Sequence, residues 1–257
     1  MNFSLGFDKL DVQKFLENGE CKNCDLSGAD FSEQYLDKAI IINSDLSGAI
    51  FDNVKMAVAY IKSSNFSKAS FLNADMPSSF IEDSIFVYAK FNDVNFTSSE
   101  IKNSDFSNSY FSHAKLYGTT FSSSIFDNAQ IISSNFQKSI LTSSSFKNTN
   151  FNKTFLSLAL IDNANLESAN LTECKIRGTN FSNSHLNDAN LSKSSFRRSI
   201  FFQADLTNIT YKKANFYKSN FTSATMINIE QDDLHFKTAI LCKTKMKNKI
   251  VNRDCRN

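Results

Sequence analysis

The chain has 257 residues, a net charge of +2, 26 Phe, no Trp, six Gly and one Pro. So weak a charge marks neither a nucleic-acid binder nor an acidic decoy, and a single Pro speaks against a linker-rich multidomain chain. Asn and Ser are abundant, but a disordered low-complexity coil would not place its large apolar residues regularly, as this chain does.

Residues 1–23 read as an N-terminal capping segment. Met1 to Leu10 lacks the basic start and apolar core of a secretory signal, so a cytoplasmic protein is expected, with secretion as an effector without a cleaved signal as the alternative. Phe7, Leu10, Val12, Phe15 and Leu16 are spaced for one face of a short helix, and Gly19 is a natural stop. A lid over the first end of the body fits best; a partner-binding helix is the second reading.

Residues 24–228 form the body. Every fifth residue from Leu26 through Met226 is Phe, Leu, Ile, Met or Tyr. Two residues before each stands a small one, as in Cys24, Ala29, Ala39, Ser44 and Ala49, with Gln34 and Ile209 as misfits. A period of five is neither 3.6 nor 2, so neither a helix nor a flat strand holds these residues on one side. The chain must turn at a fixed short interval, which describes a solenoid. No stretch reaches the length of a membrane span.

Residues 229–257 read as a distorted last coil or two and a basic tail. The register fails at Ile229 and Gln231, then recovers with Leu234, Phe236, Ala239, Leu241, Thr244 and Met246. Lys243, Lys245, Lys247, Lys249, Arg253 and Arg256 follow. They read as a solvated end that discourages edge-to-edge stacking, or else as a contact for an anionic surface. Of five cysteines, Cys24 and Cys174 occupy small packing positions. Cys21 and Cys24 make a lone C-x-x-C with no second pair, which is weak support for zinc. Cys242 and Cys255 read as free thiols or an end staple.

The runs Cys24-Asp25-Leu26-Ser27-Gly28, Ala29-Asp30-Phe31-Ser32-Glu33, Ala164-Asn165-Leu166-Glu167-Ser168 and Ala189-Asn190-Leu191-Ser192-Lys193 resemble the pentapeptide-repeat family. The resemblance implies a bacterial, all-β protein: a right-handed quadrilateral parallel β-helix with four repeats, or 20 residues, per coil. About ten coils at ~4.8 Å each make a rod roughly 50 Å long.

No catalytic constellation is legible. His113, His185 and His235 are scattered, and phosphate loop, H-E-x-x-H and nucleophile elbow are all missing. The chain therefore reads as a non-enzyme without cofactor or small-molecule substrate, and function is expected on the outer surface. With 20 residues per coil the outward residues sort into four faces, named here from their first central residue. The first face (Leu26) is acidic and the second (Phe31) neutral. The third (Leu36) carries nine cations, Lys38, Lys55, Lys115, Lys138, Lys175, Arg177, Arg197, Arg198 and Lys218, against Asp37 and Asp75. On the fourth (Ile41), the outward residue before the centre is apolar where Asp or Asn is usual: Ile40, Tyr60, Phe80, Ile140, Leu160 and Ile200, with Ile42 and Phe202 beside them.

Exposed apolar stripes commonly mark contacts, so a protein–protein interaction module is expected: scaffold, regulator or effector, with a protein partner or a homodimer. The alternative comes from the resemblance: some family members mimic DNA and protect gyrase from quinolones. This chain lacks their strong acidity and inserted loops. Direct nucleic-acid binding through the third face is not favoured, because aromatics for base stacking are sparse there.

Overall fold

The computed structural model describes residues 6–229, 233–247 and 249–255. Gln231, Arg256 and the first five residues lie outside them. The chain is a right-handed, four-sided parallel β-solenoid of about 11 turns, one more than the repeat count from Leu26 implies. The difference lies at both ends: Phe236, Leu241 and Met246 continue the buried register after Met226, and one repeat is added at the start. Cys21 already occupies a buried central position, and strand β1 (Glu20–Lys22) pairs with β2 (Ile40–Ile42).

Each repeat contributes five positions: a small residue pointing in, a flat residue on the face, the central residue pointing in, and two corner residues. Coils are joined at three points per repeat. Lys55 N–H donates to Gln34 C=O at 2.9 Å on one side, while Phe51 N–H to Ser70 C=O (2.7 Å) and Asn53 N–H to Leu72 C=O (2.8 Å) reach the other way. Most corners are closed by a bond within the turn, such as Ala49 N–H to Leu46 C=O at 3.1 Å. The second corner residue has positive φ throughout, the geometry a type II turn requires. Asn and Gly fill many of these sites, but Val58 (φ 59°) and Leu158 (φ 63°) do not belong to that set.

Some corners depart from this pattern, as after Met56 and Met76, where the N–H groups of Ala59 and Ser79 donate to Ser79 Oγ and Ser99 Oγ, and one side does so most regularly. The fourth face of the first six coils forms the regular sheet β1 to β6, with β3 (Tyr60–Lys62), β4 (Phe80–Glu82), β5 (Glu100–Lys102) and β6 (Thr120–Ser122). There the strands run to three residues, and the small residue after the corner is bonded across coils. Ser64 N–H donates to Ser84 Oγ (3.2 Å) and Ser84 N–H to Ser104 Oγ (3.2 Å), while Ser84 Oγ donates to Glu82 C=O (2.9 Å). A buried column of serines supplies the acceptors that a closed turn would have supplied.

Central residues stack in columns through the core. In the first half the rings lie on the first and second faces, as in Phe66–Phe86 (4.9 Å), Phe86–Phe106 (4.8 Å) and Phe91–Phe111 (4.6 Å). Toward the C-terminus those columns become Leu166, Leu171, Leu186 and Leu191, and the rings move to the other two faces, in Phe181–Phe201 (5.1 Å) and Phe196–Phe216 (5.3 Å). A narrow core holds bulk on one side only, because overfilling costs as much as a void.

Both ends are covered. Helix α1 (Lys9–Asn18) is capped by Asp8, whose carboxylate accepts from Leu10 N–H, and ends at Gly19 in the left-handed conformation. Of the expected apolar face, Phe15 is fully buried edge-on against Phe31 at 5.2 Å, and Phe7 and Val12 pack partly on the core. Leu10 and Leu16 stay exposed. Asp11 also accepts the N–H of Asp25, an edge donor of the first coil.

At the other end, after β7 (Thr225–Met226) and the short α2 (Asp233–Phe236), the register returns: Phe236 stacks on Phe216 at 5.2 Å. Strand β8 (Thr244–Met246) pairs parallel with β7, and β9 (Lys249–Val251) folds back antiparallel. The described part of the tail is therefore an ordered hairpin, not a free solvated end. Leu241 N–H donates to Asp254 (2.9 Å) and Lys243 N–H to Asn252 (3.0 Å), Arg253 reaches the carbonyls of Phe236 and Ala239, and Cys242 is bonded to Cys255. Cys21 and Cys24 lie side by side, their Cα atoms 5.7 Å apart.

Candidate interaction faces

The flat positions of the fourth face form one column. Ile40 pairs with Tyr60, Tyr60 with Phe80, and the register continues through Glu100, Thr120, Ile140, Leu160, Asn180, Ile200 and Asn220 to Ile240. Phe80 is 53% exposed and Leu160 43%. Tyr60, Ile140 and Ile200 are also exposed, whereas Ile40 and Ile42 are half-buried. Phe202 lies exposed at the corner beside Ile200. Ile240, which the broken register near residue 231 had hidden, extends the column by two coils. Both lysines in this stretch of the face are paired, Lys62 with Glu82 at 2.9 Å and Lys102 with Glu100, while Asp83 and Asp162 make no ion pair among the described residues. The hydrogen bond that each lysine donates to its carboxylate raises the lysine's pKa.

The third face divides in two. In its first half the acids answer the cations. Asp75 accepts from Lys55 (3.1 Å) and Asn95 (2.8 Å); burial alone would raise its pKa, but those two donors and the Lys55 charge hold it below the ordinary value. After Asp75 no acid stands at an outward position of this face. Lys115, Lys138, Lys175, Arg177, Arg197, Arg198 and Lys218 make no ion pair among the described residues, and Lys237 continues the line.

Aromatic rings fill the gaps between these cations. Lys138 Nζ lies 5.3 Å from the Tyr117 ring centre, and Lys175 Nζ lies 4.9 Å from that of Phe155. Tyr217 is approached by Arg197 (5.2 Å) and Lys218 (5.3 Å). Most of these partners are 20 or 21 residues apart. Following that separation along the third face identifies them in the sequence once the coil length is fixed. Arg177 and Arg198 also flank a shallow apolar notch formed by Leu158 and Gly178.

Buried hydroxyls at the small positions, such as those of Ser84 and Ser219, are hydrogen-bonded to carbonyls of the fold. Cys174 donates to Phe151 C=O, and burial pushes its thiol up to about 12, so it is no nucleophile at neutral pH.

The pentapeptide-repeat family pattern matches in eight copies, over residues 20–53 and, in overlapping segments, 89–201. The chain belongs to the pentapeptide-repeat family. Among solved structures it is similar to HetL of the cyanobacterium Nostoc sp. strain PCC 7120, a pentapeptide repeat protein involved in heterocyst differentiation regulation. The identity is 16%, over 84% of this chain and 95% of HetL, with a TM-score of 0.63. A trypsin-treated form of QnrB1, a plasmid-mediated fluoroquinolone resistance protein, matches at 16% identity over 76% of this chain and 92% of its own, with a TM-score of 0.52. Identities this low carry the fold alone. No curated protein matches the chain.

Proposed function

We propose that this pentapeptide-repeat rod is a non-catalytic docking module that binds a protein partner, or a second copy of itself, along the fourth face. The observation that carries this reading is the exposed apolar column from Tyr60 to Ile240, held in register by direct coil-to-coil pairing. Its side chains are presented by rigid strands, so binding requires little ordering of the rod. The pairing of Lys62 with Glu82 and of Lys102 with Glu100 leaves apolar contact as the main attraction. Light scattering and pull-down of wild type against Ile140→Glu, Leu160→Glu and Phe202→Glu test it. A dimer or captured partner lost in these variants supports the reading, whereas a partnerless monomer indifferent to them removes it.

The second reading, protection of gyrase, has in its favour the acidic first face with Asp25, Asp45, Asp105, Asp127, Glu167, Asp188 and Asp205. QnrB1 is a fluoroquinolone resistance protein of the same fold. A supercoiling assay with quinolone decides it: no rescue at saturating protein ends that reading.

A further inference from the structure

The cations on the second half of the third face form a continuous line without a paired acid among the described residues. Several lysines elsewhere meet acids, in Lys62–Glu82, Lys147–Glu167 and Lys193–Glu173. From Lys115 to Lys237 the face offers only positive charge, uncompensated among the described residues. The line is straight, because the coils stack in register, and its six coil steps span about 29 Å at ~4.8 Å each. Tyr117, Phe155 and Tyr217 lie within it, each against a cation. Tyr117 and Tyr217 remain partly exposed.

We propose that this track binds single-stranded nucleic acid, with Lys and Arg on the phosphates and the exposed rings against bases. A strand lying along the rod axis repeats a charge and a flat ring, as the track does, and such surfaces bind single strands through charge and stacking together. A duplex fits less well, since its phosphates wind away from a straight row. A folded acidic protein would satisfy the cations but gives no reason for rings placed among them. Few as they are, the aromatics stand where the cations need them, which reverses the sequence-based expectation.

The test is fluorescence anisotropy of labelled oligothymidylate and oligouridylate of about 16 nucleotides against the full chain. Tight binding at low salt is expected, weakening by roughly two to three powers of ten between about 50 and 200 mM if some six phosphates are neutralised. Reversing Arg177, Arg197 and Arg198 to Glu should weaken binding at least about tenfold and flatten the salt slope. The Arg→Gln versions should do so partially, with the fold checked by circular dichroism. Tyr117→Ala with Tyr217→Ala should weaken binding about fivefold or more and leave the slope unchanged. The proposal is overturned if no single strand binds at low salt. It is equally overturned if Lys68→Glu, Lys90→Glu and Lys153→Glu on other faces do equal damage, if duplex is preferred, or if only phosphatidylserine vesicles bind.

Discussion

The two halves of the rod solve the same packing problem in opposite ways. In the first half the core rings lie under the first and second faces, and the aliphatic fourth face forms a regular sheet whose open corners rest on buried serines. In the second half the rings lie under the third and fourth faces, many corners close within their own turns although Ala164 and Cys174 still donate to Ser184 and Ser194 across coils, and the cationic track runs outside. The lesson is that a repeat fixes the backbone path while leaving each coil free to choose which side carries bulk, polarity and charge.

The largest test of that contrast is in the core. Phe106→Ala, which removes a ring stacked on both Phe86 and Phe126, should cost about 3–5 kcal/mol in denaturant unfolding. Ile101→Phe puts a ring on the side that is aliphatic in this half and should cost about 1–3 kcal/mol, partly recovered by Phe111→Leu, which restores the volume.

The next test is at the corners. Ser84→Ala orphans the buried N–H of Ser64 and should cost about 1–3 kcal/mol. Ser219→Ala removes one of two donors to Phe196 C=O, because Ser199 N–H still reaches it, and should cost about 0.5–1.5 kcal/mol. Equal losses would erase the distinction between open and closed corners.

Smaller effects come from the turns themselves. Val58 is the one β-branched residue in the left-handed region among the described residues, so Val58→Asn should stabilise by about 0.5–1 kcal/mol. In the other half Gly178→Ala should destabilise by about 1 kcal/mol: its φ is 68°, and an added Cβ would lie 3.0 Å from Leu158.

The smallest effect is in pH. The carboxyl of Asp75 is held below its ordinary value of 3.8. Its contribution to stability is therefore present above that value and is lost as pH falls below it. Asp75→Asn should remove that share of the acid sensitivity in a pH series of unfolding curves, and with it the neutralisation of Lys55.

Much of this was legible from the register. Period five predicted the solenoid, and counting by 20 put Tyr60, Phe80 and Leu160 in one column, where the paired strands have them. What stayed hidden has physical causes. Ser and Ala look alike at a small position, so nothing marked Ser84 as a cross-coil acceptor where Ala49 only fills space. Cys21 looked like half of a C-x-x-C, although it already sat on the lattice. The hairpin lid depends on Asn252, Arg253 and Asp254 meeting carbonyls and N–H groups up to 17 residues away, a pairing no periodicity announces.

The unbroken spacing also sets how this surface can change. Duplicating 20 residues within the body lengthens the rod and leaves every downstream side chain facing the way it faced before. Duplicating a single pentapeptide near residue 128 is as easily accommodated by the core, yet it turns everything after it by a quarter revolution. Arg197 and Arg198 would then fall in line with Lys62 and Glu82 instead of Lys38. The molecule thus behaves like a combination lock: its parts are interchangeable in steps of five, but its outward message is preserved only in steps of 20.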